Sequence, residues 1–191
     1  MTQTFVILGG SFDPFHNGHW RMAETAQAQL AADIVLFVPT ARSPFKPRGP
    51  QASFADRVAM IQAAIAEQPG WRVSDLEGRR GGVSYTIDTL RALRAEFPDA
   101  AFHLVVGADA LADFHRWKDY EEILTMAELA VIERPGRPAV APRVAARQLT
   151  MAPMNVSSTD IRQRVRRGEA IDDLVPAAVA RYIAEHRLYR A

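Results

Sequence analysis

The sequence predicts an α/β fold, a doubly wound and mostly parallel sheet with helices on both faces. Two observations carry this. Apolar runs of strand length alternate along the chain with segments of helical periodicity, the pattern of strands joined by crossover helices. The first such run, TFVIL, passes into GGSFDPFHNGH, a glycine pair followed by a helix start. A third observation bounds the size. The chain has 191 residues, 48% of them hydrophobic and none of them cysteine. A chain of this length buries about 70% of its unfolded surface and needs neither disulfide nor structural metal to fold. One domain over residues 1–191 is expected.

The elements follow in order. Residues 4–8 read as a strand and 19–30 as a helix; 34–38 is a strand stopped by Pro39. A proline-rich loop, ARSPFKPRGPQ, comes next. Ser53 with Asp56 three residues on forms a capping box for a helix whose apolar face is Phe54, Val58, Ile61 and Ile65, ended by Pro69-Gly70. Residues 71–76 read as a strand, and Ile87, Leu90, Leu93 and Phe97 mark one stripe of a following helix. Strands are expected at 102–106, 129–133 and 148–151, and short helices at 110–114 and 120–126 around Trp117. RPGRPAVAPRVAARQ reads as a surface loop, and helices at 158–167 and 176–186 close the chain.

The 23 basic and 22 acidic residues leave a net charge of +1, which argues against a nucleic-acid coat or a membrane-surface binder. No basic leader followed by a long apolar stretch opens the chain, and no apolar run approaches the roughly 20 residues of a membrane span. Cytoplasmic residence is the default expectation. A homo-oligomer stays open.

In the opening motif, Gly9 and Gly10 suit unusual backbone conformations and let a ligand approach the main chain. Their spacing is not the G-x-G-x-x-G of dinucleotide binders. Pro14 stiffens the loop. His16 and His19 share a face on a first helical turn, and Gly18 keeps the approach open. A helix start offers N–H groups and a positive dipole end to anions, so two imidazoles there suit a polyphosphate. Other readings remain: a capping or surface histidine, a general base, or a zinc site. Zinc needs three or four ligands, and the remaining histidines, His103, His115 and His186, are far along the chain.

The stretch NVSSTDIRQRVRRGEAI places Ser157 and Asp160 at a helix N-cap and Gly168 at its C-terminal stop. A capped surface helix with solvated Arg162, Arg164, Arg166 and Arg167 accounts for it. A second polyphosphate anchor also accounts for it, built from Ser157, Ser158, Thr159 and Arg162, since hydroxyls and a guanidinium suit phosphate.

GGSFDPFHNGH together with VSSTDIR resembles the paired signatures of the nucleotidyltransferase superfamily with the HxGH motif. Within it, SYTIDTL, GADALADFHRW and ERPG are similar to the bacterial nicotinate mononucleotide adenylyltransferases, and the likeness runs from Gly9 to the terminal HRLYR. It implies a Rossmann-like sheet of the nucleotidyltransferase type, and transfer of AMP from ATP to nicotinate mononucleotide to give nicotinate adenine dinucleotide and pyrophosphate. It also implies residue roles. His16, His19, Lys46 and Arg162 would be catalytic, holding the ATP phosphates with Ser158 and Thr159. Gly9, Gly10, Ser11, Phe12 and Gly18 would lie along the nucleotide, with Asp109 near its ribose. Ser84, Tyr85, Thr86, Trp117 and Arg134 would hold nicotinate mononucleotide, with backbone N–H groups around Thr86 and Trp117 facing the carboxylate. The family often has a histidine just before the lysine; here it is Phe45.

The implied reaction needs no protein nucleophile, because the attacking phosphate is already ionised. Positioning and electrostatics are the levers. Mg²⁺ would bridge ATP phosphates and water, with no dedicated protein cage. The rival expectations are a superfamily enzyme with another acceptor and a non-catalytic nucleotide sensor.

Overall fold

The computed structural model describes residues 2–45, 49–132 and 144–190. Its centre is a six-stranded sheet of β1 (Thr4–Gly10), β2 (Ile34–Pro39), β3 (Trp71–Val73), β4 (Ala101–Gly107), β5 (Glu128–Ile132) and β6 (Arg147–Leu149) in the order β3-β2-β1-β4-β5-β6. Every pairing in it is parallel, so the expected mostly parallel sheet is parallel throughout.

Strand alternation builds two cores. Val6 and Leu8 of β1 face one way, against α1 (Asn17–Leu30), α2 (Phe54–Ile65), α7 (Ser158–Arg167) and α8 (Ala177–Glu185). Phe5 and Ile7 face the other way, against α3 (Leu76–Arg80), α4 (Thr86–Glu96), α5 (Ala108–Ala112) and α6 (Tyr120–Met126). The two faces of β1 are thereby both dry, which is why its sequence is a continuous apolar run. From β1 the chain steps outward to β2 and β3, then returns to lay β4 on the other side of β1. The reversal leaves a crevice at the carboxyl ends of β1 and β4, the place where such sheets take ligands.

The elements depart from the sequence reading in a few places, each for a local reason. β1 runs two residues further than 4–8, because Gly9 and Gly10 still pair with Val38 and Pro39. The strand expected at 71–76 stops at Val73. Ser74 closes it by donating its N–H to Phe37 O, and Leu76 begins the unexpected helix α3, stapled by an Arg79–Asp75 ion pair of 2.8 Å. On α2 the buried face is turned from the expected stripe: Arg57 and Met60 are buried with Ile61 and Ile65, while Phe54 and Val58 are only half-buried. A charged residue took the inward position because its guanidinium has carbonyl partners there, described below. The stretch expected as a loop ends in β6, whose first residues are Arg147 and Gln148. Residues 133–143 of that region lie outside the described residues. The caps follow the reading: Asp56 N–H donates to Ser53 Oγ, Asp160 N–H to Ser157 Oγ, and Gly168 closes α7 at φ 70°. Among the described residues no helix is long and apolar enough to cross a membrane.

Candidate active site

A cavity of about 350 Å³ opens at the β1–β4 crevice. Its floor is residues 7–12 from β1 and the loop after it, and residues 104–107 from β4. His19 lines one end, from α1 on one face of the sheet; Ser84, Tyr85, Thr86, Trp117 and Lys118 line the other, from the face that carries α4 and α6. Gly9 has open space where a Cβ would project, so the strand's end presents bare backbone to the cavity. Neither Gly9 nor Gly10 uses positive φ; the left-handed residue of the motif is Phe12, at φ 49°, whose ring lies 3.1 Å from where a Gly10 Cβ would stand. The glycines therefore serve close approach rather than unusual backbone angles. Gly18 likewise serves packing: a Cβ there would meet Val156 at 2.9 Å and the His16 ring at 3.0 Å.

The histidines are locked together. His16 is the N-cap of α1, and the two rings stack with centroids 3.7 Å apart. His16 N–H donates to His19 Nδ1 at 3.2 Å. With Nδ1 accepting, the neutral His19 ring carries its proton on Nε2. Phe12 and Phe15 hold the same ring at 4.9 and 5.6 Å. The first-turn amides of α1 are less open than the sequence implied: Asn17 N–H donates to Leu174 O and His19 N–H to His16 O.

Behind this end lies a buried charge cluster. The Asp13 carboxylate accepts from Gln51 N–H at 2.8 Å, Ala52 N–H at 3.0 Å and the Tyr189 hydroxyl at 2.8 Å. Arg162 Nη1 lies 3.7 Å from Asp13 Oδ2 and donates to Asp13 O at 2.6 Å, while Nη2 donates to Thr159 Oγ1. Ser158 Oγ donates to Pro14 O. The start of α7 thus clamps the loop that carries the histidines. Arg57, fully buried, donates from Nη1 to Ser11 O at 2.7 Å and Thr40 O at 2.9 Å. Burial pulls its pKa below the ordinary guanidinium value, with Asp13, Tyr189 and Glu77 opposing. Burial, then Asp13, pushes the Tyr189 phenol well above its ordinary value, so it remains a hydroxyl donor.

At the other end Trp117 packs on Phe114 at 5.0 Å and faces the exposed Phe45 at 6.4 Å. Its backbone N–H, expected to face a ligand carboxylate, instead donates to Phe114 O. Glu77 is buried in the wall, accepting from Ala41 N–H and the Thr89 hydroxyl. Asp109 is exposed at the start of α5, beside the cavity-lining Gly107 and Ala110. Among the described residues no group of three or more His, Asp or Glu is arranged to hold a metal ion.

A cytidylyltransferase-like family model matches residues 7–164, a span that holds both the histidine motif and Arg162. A nicotinate-nucleotide adenylyltransferase from Bordetella avium is 45% identical over 195 residues, covering 96% of each chain. One from Geotalea uraniireducens is 39% identical over 209 residues, again with 96% of each covered. The chain belongs to the nicotinate-nucleotide adenylyltransferases. The fold agrees: the nicotinic acid mononucleotide adenylyltransferase of Plasmodium falciparum, solved complexed with NaAD, superposes with a TM-score of 0.77 over 98% of this chain and 97% of that one, at 19% identity.

Of the residues that the family likeness marked, the structure brings Gly9, Gly10, Ser11, Phe12, His19, Ser84, Tyr85, Thr86 and Trp117 into the cavity wall. His16, Gly18, Ser158, Thr159 and Arg162 stand behind it as support. Lys46 and Arg134 lie outside the described residues. The sequence reading assigned no role to Asp13, Arg57, Glu77, Lys118 or Tyr189. Asp13 had a signal, a carboxylate set between Phe12 and Pro14-Phe15 in an otherwise apolar run. Arg57 and Tyr189 carried none that local pattern could show, since their partners are distant in sequence.

Proposed function

We propose that the chain, as one catalytic domain over residues 1–191, transfers the AMP moiety of ATP to nicotinate mononucleotide, releasing pyrophosphate and forming nicotinate adenine dinucleotide. What carries the reading is a cavity at the sheet's reversal point with bare strand-end backbone and His19 at one end and Thr86 and Trp117 at the other, in a chain of this family. ATP lies along Gly9, Gly10, Ser11 and Phe12, with Asp109 toward its ribose. The pyridine ring stacks at Trp117, where a cationic ring gains from an aromatic face, with Ser84, Tyr85, Thr86 and Arg134 around the mononucleotide.

The mononucleotide's phosphate oxygen attacks the α-phosphorus in line, and pyrophosphate leaves. His19 Nε2–H donates to the charge that grows on the departing phosphates, and His16 holds the ring that does so. Lys46 and Arg162 add positive potential. Arg162 does so from a fixed position, because Asp13 and Thr159 already orient its fork. Donors fixed before the reaction cost nothing to reorganise during it. Magnesium prefers substrate oxygens and water to an all-protein cage, so Mg²⁺ would be held through the ATP phosphates and would supply neutralisation of their charge. The partners are these small molecules, not nucleic acid or membrane, and the setting is the cytoplasm. Mass analysis after mixing the protein with ATP, Mg²⁺ and nicotinate mononucleotide tests this: the dinucleotide and pyrophosphate should appear together. ATP bound without any product would favour the sensor reading.

A further inference from the structure

Lys118 has no role in the reading so far, yet its position is distinctive. Among the described residues lining the cavity it is the sole lysine or arginine. It follows Trp117 directly, and its ammonium lies 4.7 Å from the centre of the Tyr85 ring, so it sits over the residues that flank the proposed pyridine site. Its ion pair is loose: Nζ is 3.4 and 3.5 Å from the two Asp88 oxygens, and the side chain is 43% exposed. Asp88 has a second cation in Arg91, whose Nη1 is 3.3 Å from Oδ1. If Lys118 swung away, Asp88 would still be paired.

The neighbouring donors and charges point the same way. Of the two main-chain donors expected there, at Thr86 and Trp117, the Trp117 backbone N–H is already committed to Phe114 O. The acidic group in the wall, Glu77, is buried with both oxygens bonded, to Ala41 N–H and Thr89 Oγ1. A carboxylate brought in near Trp117 adds negative charge to a cavity wall that already holds one acid, and Lys118 is the cation at hand.

We propose that Lys118 is a specificity-determining residue: its ammonium leaves Asp88 and pairs with the carboxylate on the pyridine ring, so that the site favours an anionic ring substituent over the neutral amide. This deepens the adenylyltransferase reading and rests on it. A charged pair made in a partly enclosed site discriminates where a neutral amide offers the ammonium only a carbonyl dipole.

The test compares kcat/KM for nicotinate mononucleotide and nicotinamide mononucleotide, at saturating ATP, in the native protein, Lys118→Met and Lys118→Arg. Lys118→Met should lower the acid-to-amide ratio about tenfold or more, through loss with the acid substrate, at unchanged KM for ATP. Lys118→Arg, which keeps the charge, should retain most of the ratio and guards against a folding defect in the methionine variant. A ratio that survives in Lys118→Met, or that falls equally in both variants, overturns the role of the charge. Failure of the native protein to use either mononucleotide would instead strike the adenylyltransferase reading itself.

Discussion

The His19 end of the cavity keeps its charges largely buried and hydrogen-bonded into the backbone, whereas the Trp117 end, Glu77 aside, keeps them exposed and paired across the surface. At the first, Asp13 gathers two amides and a phenol from segments up to 176 residues away, and Arg162 and Arg57 are bonded to main-chain oxygens. At the second, Arg91 of α4 bridges to Asp119 and Glu122 in the α6 region, with Lys118 and Asp88 alongside, all in contact with solvent. The contrast teaches that one end is built to hold atoms still and the other to adjust. In-line transfer between two anions rewards fixed geometry; admitting and choosing a ring tolerates a side chain that moves.

Variants break or sharpen that contrast. The largest effect should come from His19→Ala. Losing one preorganised donor to developing charge costs about 10²–10³ in rate, or roughly 3–4 kcal/mol. Pyrophosphate release should fall by that factor while circular dichroism still reports a folded protein; near-native turnover would remove His19 from the chemistry.

Next is Tyr189→Phe, which takes one hydrogen bond from the buried Asp13 carboxylate. Bonds to charged groups are worth about 1.5–3 kcal/mol, and urea unfolding should show a loss of that order. Arg91→Ala, by contrast, cuts only exposed pairs, and exposed pairs contribute little; its urea midpoint should stay near that of the native protein. Equal losses in the two variants would erase the distinction between the ends.

Arg162→Lys should impair use of ATP, because lysine cannot reproduce the planar fork that reaches both Asp13 O and Thr159 Oγ1. Arg166→Lys is the comparison. Arg166 is exposed and bonds the Gln51 side chain, so ATP kinetics should change little.

The smallest effect is acid sensitivity. Asp56 joins α2 to α8, accepting from Ser53 Oγ and the Tyr182 hydroxyl. These bonds, Ser53 first, hold its pKa below the ordinary carboxylate value despite some opposing burial. The unfolded chain then binds the proton more readily than the folded one as pH falls. The contribution is complete above the unfolded value of about 3.9 and is lost as pH drops through the lower folded value. Asp56→Asn should flatten the acid limb of a melting-temperature profile. An unchanged limb would show that the α2–α8 link is not what acid breaks.

Much of this was readable from the chain alone. Period-two and period-3.6 patterns are local, so β1, α1, α4 and the capped α7 could be placed from their own residues. The site's outline could too, because the histidine motif and VSSTDIR are contiguous signatures. What the pattern could not give was long-range. Arg57 falls outside the apolar face that the pattern marks on its helix, because its acceptors, Ser11 O and Thr40 O, come from other loops. Helix α3 hid in LEGRR, which has too few apolar residues to show a period. The Trp117 N–H seemed open because its partner is created by a 3₁₀ turn, Phe114–Arg116.

The division between the two ends is tested most directly by steady-state kinetics of Trp117→Ala with each substrate varied in turn. A ring-stacking role confined to the far end predicts a raised KM for nicotinate mononucleotide and a KM for ATP close to the native value. A variant whose defect appears with ATP alone, or equally with both substrates, would contradict the division and move the pyridine site away from Trp117.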